Sequence, residues 1–215
     1  MKVVPADING IHTALRILQD GGVVAHATET CYGLACDLRN PDAVKKLFTI
    51  KQRPLDQPVS ALFSNIDQAK EYVKWNDEAE SLAKKYLPGP LTLILRGKPV
   101  AGGACPEPGR GELRVTGNLE TRNSKPATSI GIRISSHPIA QQLVTAFGSP
   151  LSTTSANLHG RSNPYSSDDI IVQFSGQEFQ PDLILDSGTL PHNPPSTVID
   201  LSESGSKIRR QGTIK

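Results

Sequence analysis

Lys51 and Arg53 stand one residue apart in the stretch TIKQRPLDQPVS, residues 49–60. An ammonium is a compact charge and a guanidinium a planar fork, and together they suit the oxygens of a phosphate. Pro54 and Pro58 restrict the loop that follows and would keep such a clamp in shape. The plain alternative is a pair of cations at the negative end of a helix dipole, worth about 0.3–1 kcal/mol. Lys45 and Lys46 fit a solvated helix face. A second polar group is Ser152, Thr153, Thr154, Ser155 and Asn157 in PLSTTSANLHG, 150–160. It reads either as an ordinary Ser-rich turn or as a cradle whose hydroxyls and backbone N–H groups donate to phosphates. The third stretch is HATETCYGL, 26–34. If a strand continues through it, Thr28 and Thr30 share one side, at a strand end where open α/β sheets bind ligands. Glu29 is a candidate base without a visible partner, Tyr32 reads as packing, and the chain is expected to turn at Gly33.

Other chemistries lack their motifs. The chain has no G-x-x-x-x-G-K-[ST], no G-x-G-x-x-G after the first strand and no H-E-x-x-H, and no G-x-S-x-G elbow. His12, His26, His137, His159 and His192 are scattered. No residue is marked out as a covalent nucleophile, and no set of ligands as a metal site. An enzyme built from these residues would work by positioning and charge stabilisation.

The elements that must position these groups follow from periodicity. Ile11, Leu15 and Leu18 place a helix over 8–20, ended by Gly21-Gly22. VVAHAT reads as a strand. Asn40 as N-cap and Pro41 at the first helical position open a helix that runs to about Lys51. PVSALF and LTLILR read as strands around helices at 65–74 and 77–87, with PGP (88–90) as a stop. SIGIRIS is a strand, HPIAQQLVTAF a helix, and SPLSTTSAN a short strand running into a loop. DLILD, TVID and KIRRQGTI are late strands. Residues 97–127 lack periodicity and form a long Gly/Pro-containing insert. The pattern predicts an α/β fold with an open, twisted, mixed parallel and antiparallel sheet and flanking helices, in one domain over 1–215.

Composition agrees with a folded chain: 215 residues, 37% hydrophobic, 20% charged. A net charge of +2 does not advertise nucleic-acid binding. Cys31, Cys36 and Cys105 are too few and too irregular for a disulfide framework and read as free thiols of a reducing compartment. No apolar run approaches the roughly 20 residues that span a bilayer, and the N-terminus does not read as a secretory signal. A cytoplasmic location without membrane partners is expected.

Seven motifs stand in a telling order: ATETCYGL, KQRP with a later Pro, LPGPLTLIL, GIRIS followed by HP, STTSAN, STVID and RRQG. From about residue 10 to 214 the chain resembles the YrdC/TsaC family of L-threonylcarbamoyladenylate synthases, whose K-x-R…S-x-N signature corresponds to Lys51, Arg53, Ser155 and Asn157. The resemblance implies a large concave cavity and a reaction that joins L-threonine, bicarbonate or CO2, and ATP into threonylcarbamoyl-AMP and pyrophosphate, with Mg2+ assisting. A partner complex would then transfer the threonylcarbamoyl group to tRNA. The C-terminal extension of some relatives is expected to be absent.

Carried over by motif, Lys51 and Arg53 would be catalytic and bind ATP. Gln57, Ser129, Thr153, Ser155, Asn157, Asn163 and Arg210 would also face ATP, and Thr30, Arg133 and Ser196 would face threonine. Three positions depart from the family pattern: Ala27 replaces a proline, Leu62 a threonine-contacting histidine and Asn163 a hydroxyl. The alternatives are a nucleotide- or double-stranded-RNA-binding protein of this fold, and an adenylating enzyme with a different acceptor. Related domains that make carbamoyl-AMP normally sit in larger chains with cysteine pairs absent here.

Overall fold

The computed structural model describes residues 1–55, 57–98, 129–203 and 205–214. The expected insert at 97–127 lies outside the described residues apart from Gly97 and Lys98, as does Cys105. The described elements are β1 (Lys2–Pro5), α1 (Ile8–Gln19), β2 (Val24–Ala27), β3 (Tyr32–Ala35), α2 (Pro41–Lys51), β4 (Ser60–Leu62), α3 (Ile66–Tyr72), α4 (Asp77–Tyr86), β5 (Leu91–Arg96), β6 (Ser129–Arg133), α5 (Pro138–Phe147), β7 (Leu151–Ser155), α6 (Ser167–Phe174), β8 (Leu183–Asp186), β9 (Thr197–Asp200) and β10 (Lys207–Arg210).

The ten described strands form one mixed sheet in the order β1-β8-β2-β3-β7-β4-β6-β5-β9-β10. Four neighbouring pairs are parallel (β1·β8, β2·β8, β4·β6, β5·β9) and the other five antiparallel, so the expected fold class holds. Helix starts follow local chemistry. Asn40 accepts from the Asp42 and Ala43 amides with Pro41 in the first turn, and Ser166 and Asp169 close a capping box on α6. Three elements differ from the sequence reading. β1 precedes the first expected helix, where no strand was read. Gly33 does not turn the chain; it lies inside β3, paired with His26 and Ser155. A helix, α6, also stands among the late strands.

The two faces of the sheet are covered unequally. Alternation sends Ala25, Tyr32, Leu34, Leu91, Leu93, Leu95, Ile130 and Ile132 to one face, where residues of α2, α3, α4 and α6 complete the main core. On the other face Val24, Ala35, Leu62 and Leu151 pack with α1 and α5. Further along that second face β3, β7, β4, β6, β5 and β9 carry mostly small or hydroxylated residues, Gly33, Thr153, Ser155, Ser60, Gly131 and Thr92, with Ile94 and Val198 among them. No apolar stripe is offered for a helix there, and a cavity takes its place.

The connection from β8 to β9 passes from the second to the ninth position of the sheet. Seven strand spacings across a flat sheet would be roughly 34 Å, close to the roughly 33–36 Å that ten extended residues reach. Residues 187–196 therefore have little slack and form a strap restricted by Pro191, Pro194 and Pro195. The strap is tied by Tyr32, whose hydroxyl donates to Gly188 O at 2.8 Å, and by Asn193, which donates to Glu29 O at 3.0 Å. Tyr32 is thus a packing residue with an anchored hydroxyl.

Candidate active site

The uncovered part of the second face forms a cavity of about 240 Å3. Its floor is hydroxylated, with Ser60 from β4, Thr92 from β5, and Thr153 and Ser155 from β7. Ser60 pairs with both Gly131 and Thr153, and a Cβ on Gly131 would lie 2.6 Å from Ser60 Oγ. A side chain there would displace the serine hydroxyl and fill the floor. Arg53, Arg133 and Arg210 face the cavity, and none of its described lining residues carries a carboxylate. Burial, and then the nearby Arg133 charge, lower the Arg210 pKa; the cations repel one another across a site that an anion would neutralise.

The Lys-x-Arg pair is divided by the end of its helix. Lys51 is the last residue of α2, and Gln52 adopts the left-handed conformation (φ 52°). The Gln52 and Arg53 amides close the helix on Thr49 O and Phe48 O, each at 3.0 Å. Lys51 consequently points inward and is 4% exposed. Its ammonium donates to Ser155 O, to Asn157 O at 2.8 Å and to Asn157 Oδ1 at 3.1 Å. Burial, then the Arg53 charge, push its pKa down to about 7, while three oxygen acceptors favour the charged form. Arg53, beyond the reversal, faces the cavity. Its guanidinium donates to Gln57 Oε1 and to Pro58 O, both at 2.7 Å, and stacks over Phe48. Gln57 and the stiff loop therefore aim Arg53.

Residues 28–31 form a turn instead of a continuing strand. The Thr28 hydroxyl donates to Cys31 O at 2.6 Å and accepts from the Thr30 and Cys31 amides. Both threonine hydroxyls still meet, at 3.1 Å, on the cavity wall. The same turn brings Glu29 to Arg133 Nη2 and to Ser135 Oγ, which gives it the partners the sequence did not show. At the opposite wall Arg210 donates to Ser196 O and, at 2.8 Å, to Ser196 Oγ, which lies 3.1 Å from Thr92 Oγ1. A Cβ at Gly212 would fall 2.0 Å from Pro195 O, so the glycine lets the C-terminal segment close against the strap and seat Arg210.

Of the residues singled out in the sequence, Thr30, Arg53, Arg133, Thr153, Ser155, Asn163, Ser196 and Arg210 meet at this cavity. Lys51, Gln57, Ser129 and Asn157 are not among its lining. Lys51 and Asn157 lie beneath the Ser155 loop and Gln57 behind Arg53. Ser129 shares the face of Arg133 but pairs with Arg96 at the other end of β6. Leu62 is buried in the apolar cluster under α5. Thr92 and Ser60 went unnoticed in the sequence; the available signal was a single hydroxyl on the exposed phase of each alternating strand.

His26 is fully buried beside the site, with Nδ1 3.1 Å from Ala27 O and Nε2 unpartnered among the described residues. Desolvation lowers its pKa from 6.5 to about 4. Between those values the unfolded chain binds a proton that the native chain does not, so stability falls as pH falls, by about 3 kcal/mol over the interval. Urea midpoints at about pH 7 and pH 4.5 should separate more for the wild type than for His26→Gln. An equal separation in both would assign the acid loss to other groups.

No group of three or more His, Cys, Asp or Glu side chains among the described residues could hold a metal ion, and no described helix is long and apolar enough to cross a membrane. The class of protein these features define is an α/β protein with an open mixed sheet and an arginine-walled, hydroxyl-floored cavity whose chemistry suits an anion. The chain belongs to the Sua5/YciO/YrdC family, whose model, described as "Telomere recombination", matches residues 16–212. It is 32% identical over 205 residues to a threonylcarbamoyl-AMP synthase of Pyrococcus abyssi, covering 95% of this chain and 54% of that protein. It spans 54% of a Bacillus subtilis relative of the same name as well, so it has about half the length of these two proteins. A Vibrio parahaemolyticus threonylcarbamoyl-AMP synthase is 31% identical over 211 residues and is covered end to end (95% and 100%). The structure of P. abyssi Sua5 complexed with L-threonine superposes with a TM-score of 0.80 at 31% identity, covering 98% of this chain and 57% of that one.

Proposed function

We propose that the chain is an L-threonylcarbamoyladenylate synthase, acting as one unit on L-threonine, CO2 or bicarbonate, and ATP. The observation that carries this reading is the convergence of Arg53, Arg133 and Arg210 on one hydroxylated cavity without a lining carboxylate. Such a site suits a triphosphate and a substrate carboxylate at once. The names of the relatives supply the reaction class.

The threonine amine attacks CO2, forming an N–C bond and a carbamate with loss of one proton. A carbamate oxygen then attacks the α-phosphorus of ATP, and the bond to the bridging oxygen breaks as pyrophosphate leaves. Both partners of the second step are anionic, so its barrier contains charge repulsion that fixed cations lower. Arg53 and Arg210 stand on the nucleotide side with Thr153, Ser155 and Asn163. Arg133, Thr30 and Ser196 take the amino acid. Lys51 holds the Ser155–Asn157 loop in register, Asn157 is part of that hold, and Gln57 aims Arg53. Ser129 lies at the far end of β6, outside the cavity lining. The described residues make no metal cage, so Mg2+ would enter as part of the nucleotide, held by phosphates and water. Holding the reactants in line supplies much of the remaining acceleration.

The product is a mixed anhydride suited to a downstream transferase complex that modifies tRNA in the cytoplasm. Buried Leu62 favours a second reading, ATP-dependent adenylation of another acceptor, because no imidazole is available at that position. The test is incubation with ATP, Mg2+ and bicarbonate, with L-threonine, with L-serine or with neither, followed by mass spectrometry of the adenylate and by pyrophosphate release. Threonine-dependent adenylate is expected. Nucleotide binding without it would transfer the proposal to the second reading, and salt-sensitive binding of double-stranded RNA alone would remove both.

A further inference from the structure

Glu29 is the one carboxylate that touches a cavity arginine among the described residues, and its contacts are specific. One oxygen accepts from Arg133 Nη2 and the other from Ser135 Oγ. The Arg133 and Glu29 side chains are only 8% and 14% exposed. Arg133 Nη2 also lies 3.4 Å from Thr30 Oγ1. The adjacent Nε is buried and has no partner among the described residues. The guanidinium is therefore gripped at one corner by Glu29 while the residue lines the cavity. Arg53 and Arg210, by contrast, are held by neutral oxygens alone among the described residues.

Glu29 is itself fixed twice. Its carbonyl accepts from Asn193 of the strap, and its carboxylate is locked to Ser135, whose Oγ also accepts the His137 amide at the start of α5 at 3.1 Å. One side chain thus ties the 28–31 turn, the end of β6 and the N-terminus of α5. A charge pair this buried costs desolvation and is weak evidence for stability alone. Its geometry fits a different role, because a planar fork binds a carboxylate well only when its plane is set in advance.

We propose that Glu29 is the positioning residue that sets the Arg133 guanidinium for the carboxylate of the amino-acid substrate. The proposal rests on the synthase reading, in which Arg133 takes that carboxylate. Glu29 thus acts through Arg133 and leaves the nucleotide side untouched. A bare counter-ion would behave oppositely: removing it would free the arginine charge and tighten anion binding.

The test compares wild type, Glu29→Gln, Glu29→Asp, Arg133→Lys and the double variant Glu29→Gln/Arg133→Lys. Calorimetry measures binding of L-threonine and of L-threoninol, in which a hydroxymethyl group replaces the carboxylate. Steady-state assays measure KM for threonine and for ATP. Glu29→Gln should weaken threonine binding roughly tenfold, erase the preference over threoninol and leave KM for ATP unchanged. Glu29→Asp, one methylene too short to reach both Arg133 and Ser135, should fall between. The double variant should be no worse than Arg133→Lys, since Glu29 acts through that side chain. If Glu29→Gln does not fold, Ser135→Ala should show the same shift in smaller measure. Equal or tighter threonine binding by the Glu29 variants, or a parallel rise in KM for ATP, overturns the proposal. A wild type that binds no L-threonine instead removes the synthase reading, and this inference with it.

Discussion

Lys51→Met should lower stability by about 3–5 kcal/mol and adenylate formation at least a hundredfold. The variant keeps most of the side-chain volume and deletes the charge. It takes the ammonium from the Ser155 and Asn157 carbonyls and leaves Asn157 Oδ1 with the Ser155 hydroxyl as its one remaining donor among the described residues. Each buried acceptor left unpaired costs about 1–3 kcal/mol. Ser155, whose hydroxyl lines the cavity and donates to Asn157 Oδ1 at 2.6 Å, then loses its register. The check is a urea denaturation midpoint measured beside kcat/KM. Both should fall together. Lost activity at unchanged stability would mean that Lys51 acts on the substrate directly and that its inward orientation is displaced during turnover.

Arg53→Ala should behave differently. The guanidinium is half-buried on the cavity wall, its stack on Phe48 is the main packing lost, and no buried backbone group depends on it alone. Stability should change by at most about 1 kcal/mol. Loss of one aimed cation from a charge-compressing step should cost about 3–4 kcal/mol in the transition state, or roughly a hundred- to thousandfold in rate. Arg53→Lys should restore little, because an ammonium cannot hold Gln57 Oε1 and Pro58 O while still presenting a planar fork to phosphate. Single-turnover assays at saturating ATP distinguish a loss of the chemical step from a loss of affinity. A variant with wild-type single-turnover rates would remove Arg53 from the chemistry.

The contrast between these neighbours marks the boundary between sequence and tertiary structure. Alternation in LTLILR, SIGIR and the TVID segment predicted strands, and Asn40-Pro41 predicted the start of α2, because strand period and capping are local. The capping box at Ser166 and Asp169 was equally local, yet the segment was not read as a helix among short strands. Glu29 had no visible partner because Arg133 and Ser135 are more than a hundred residues away in the chain and meet it only through the folded sheet.

The sequence by itself determined the chemical inventory: cations that end a helix, hydroxyls in and around strand ends, a mixed α/β sheet. Only the tertiary structure decided how the inventory is used. The strand order puts β7 between β3 and β4, so the Ser155–Asn157 loop lies over the end of α2. The left-handed turn at Gln52 then sends Lys51 into the protein and Arg53 into the cavity. The physical reason is one of range. Periodicity and capping act within a few residues, whereas the uncovered half of a sheet face, and the direction in which a buried charge must point to find its oxygens, depend on segments far apart in the chain.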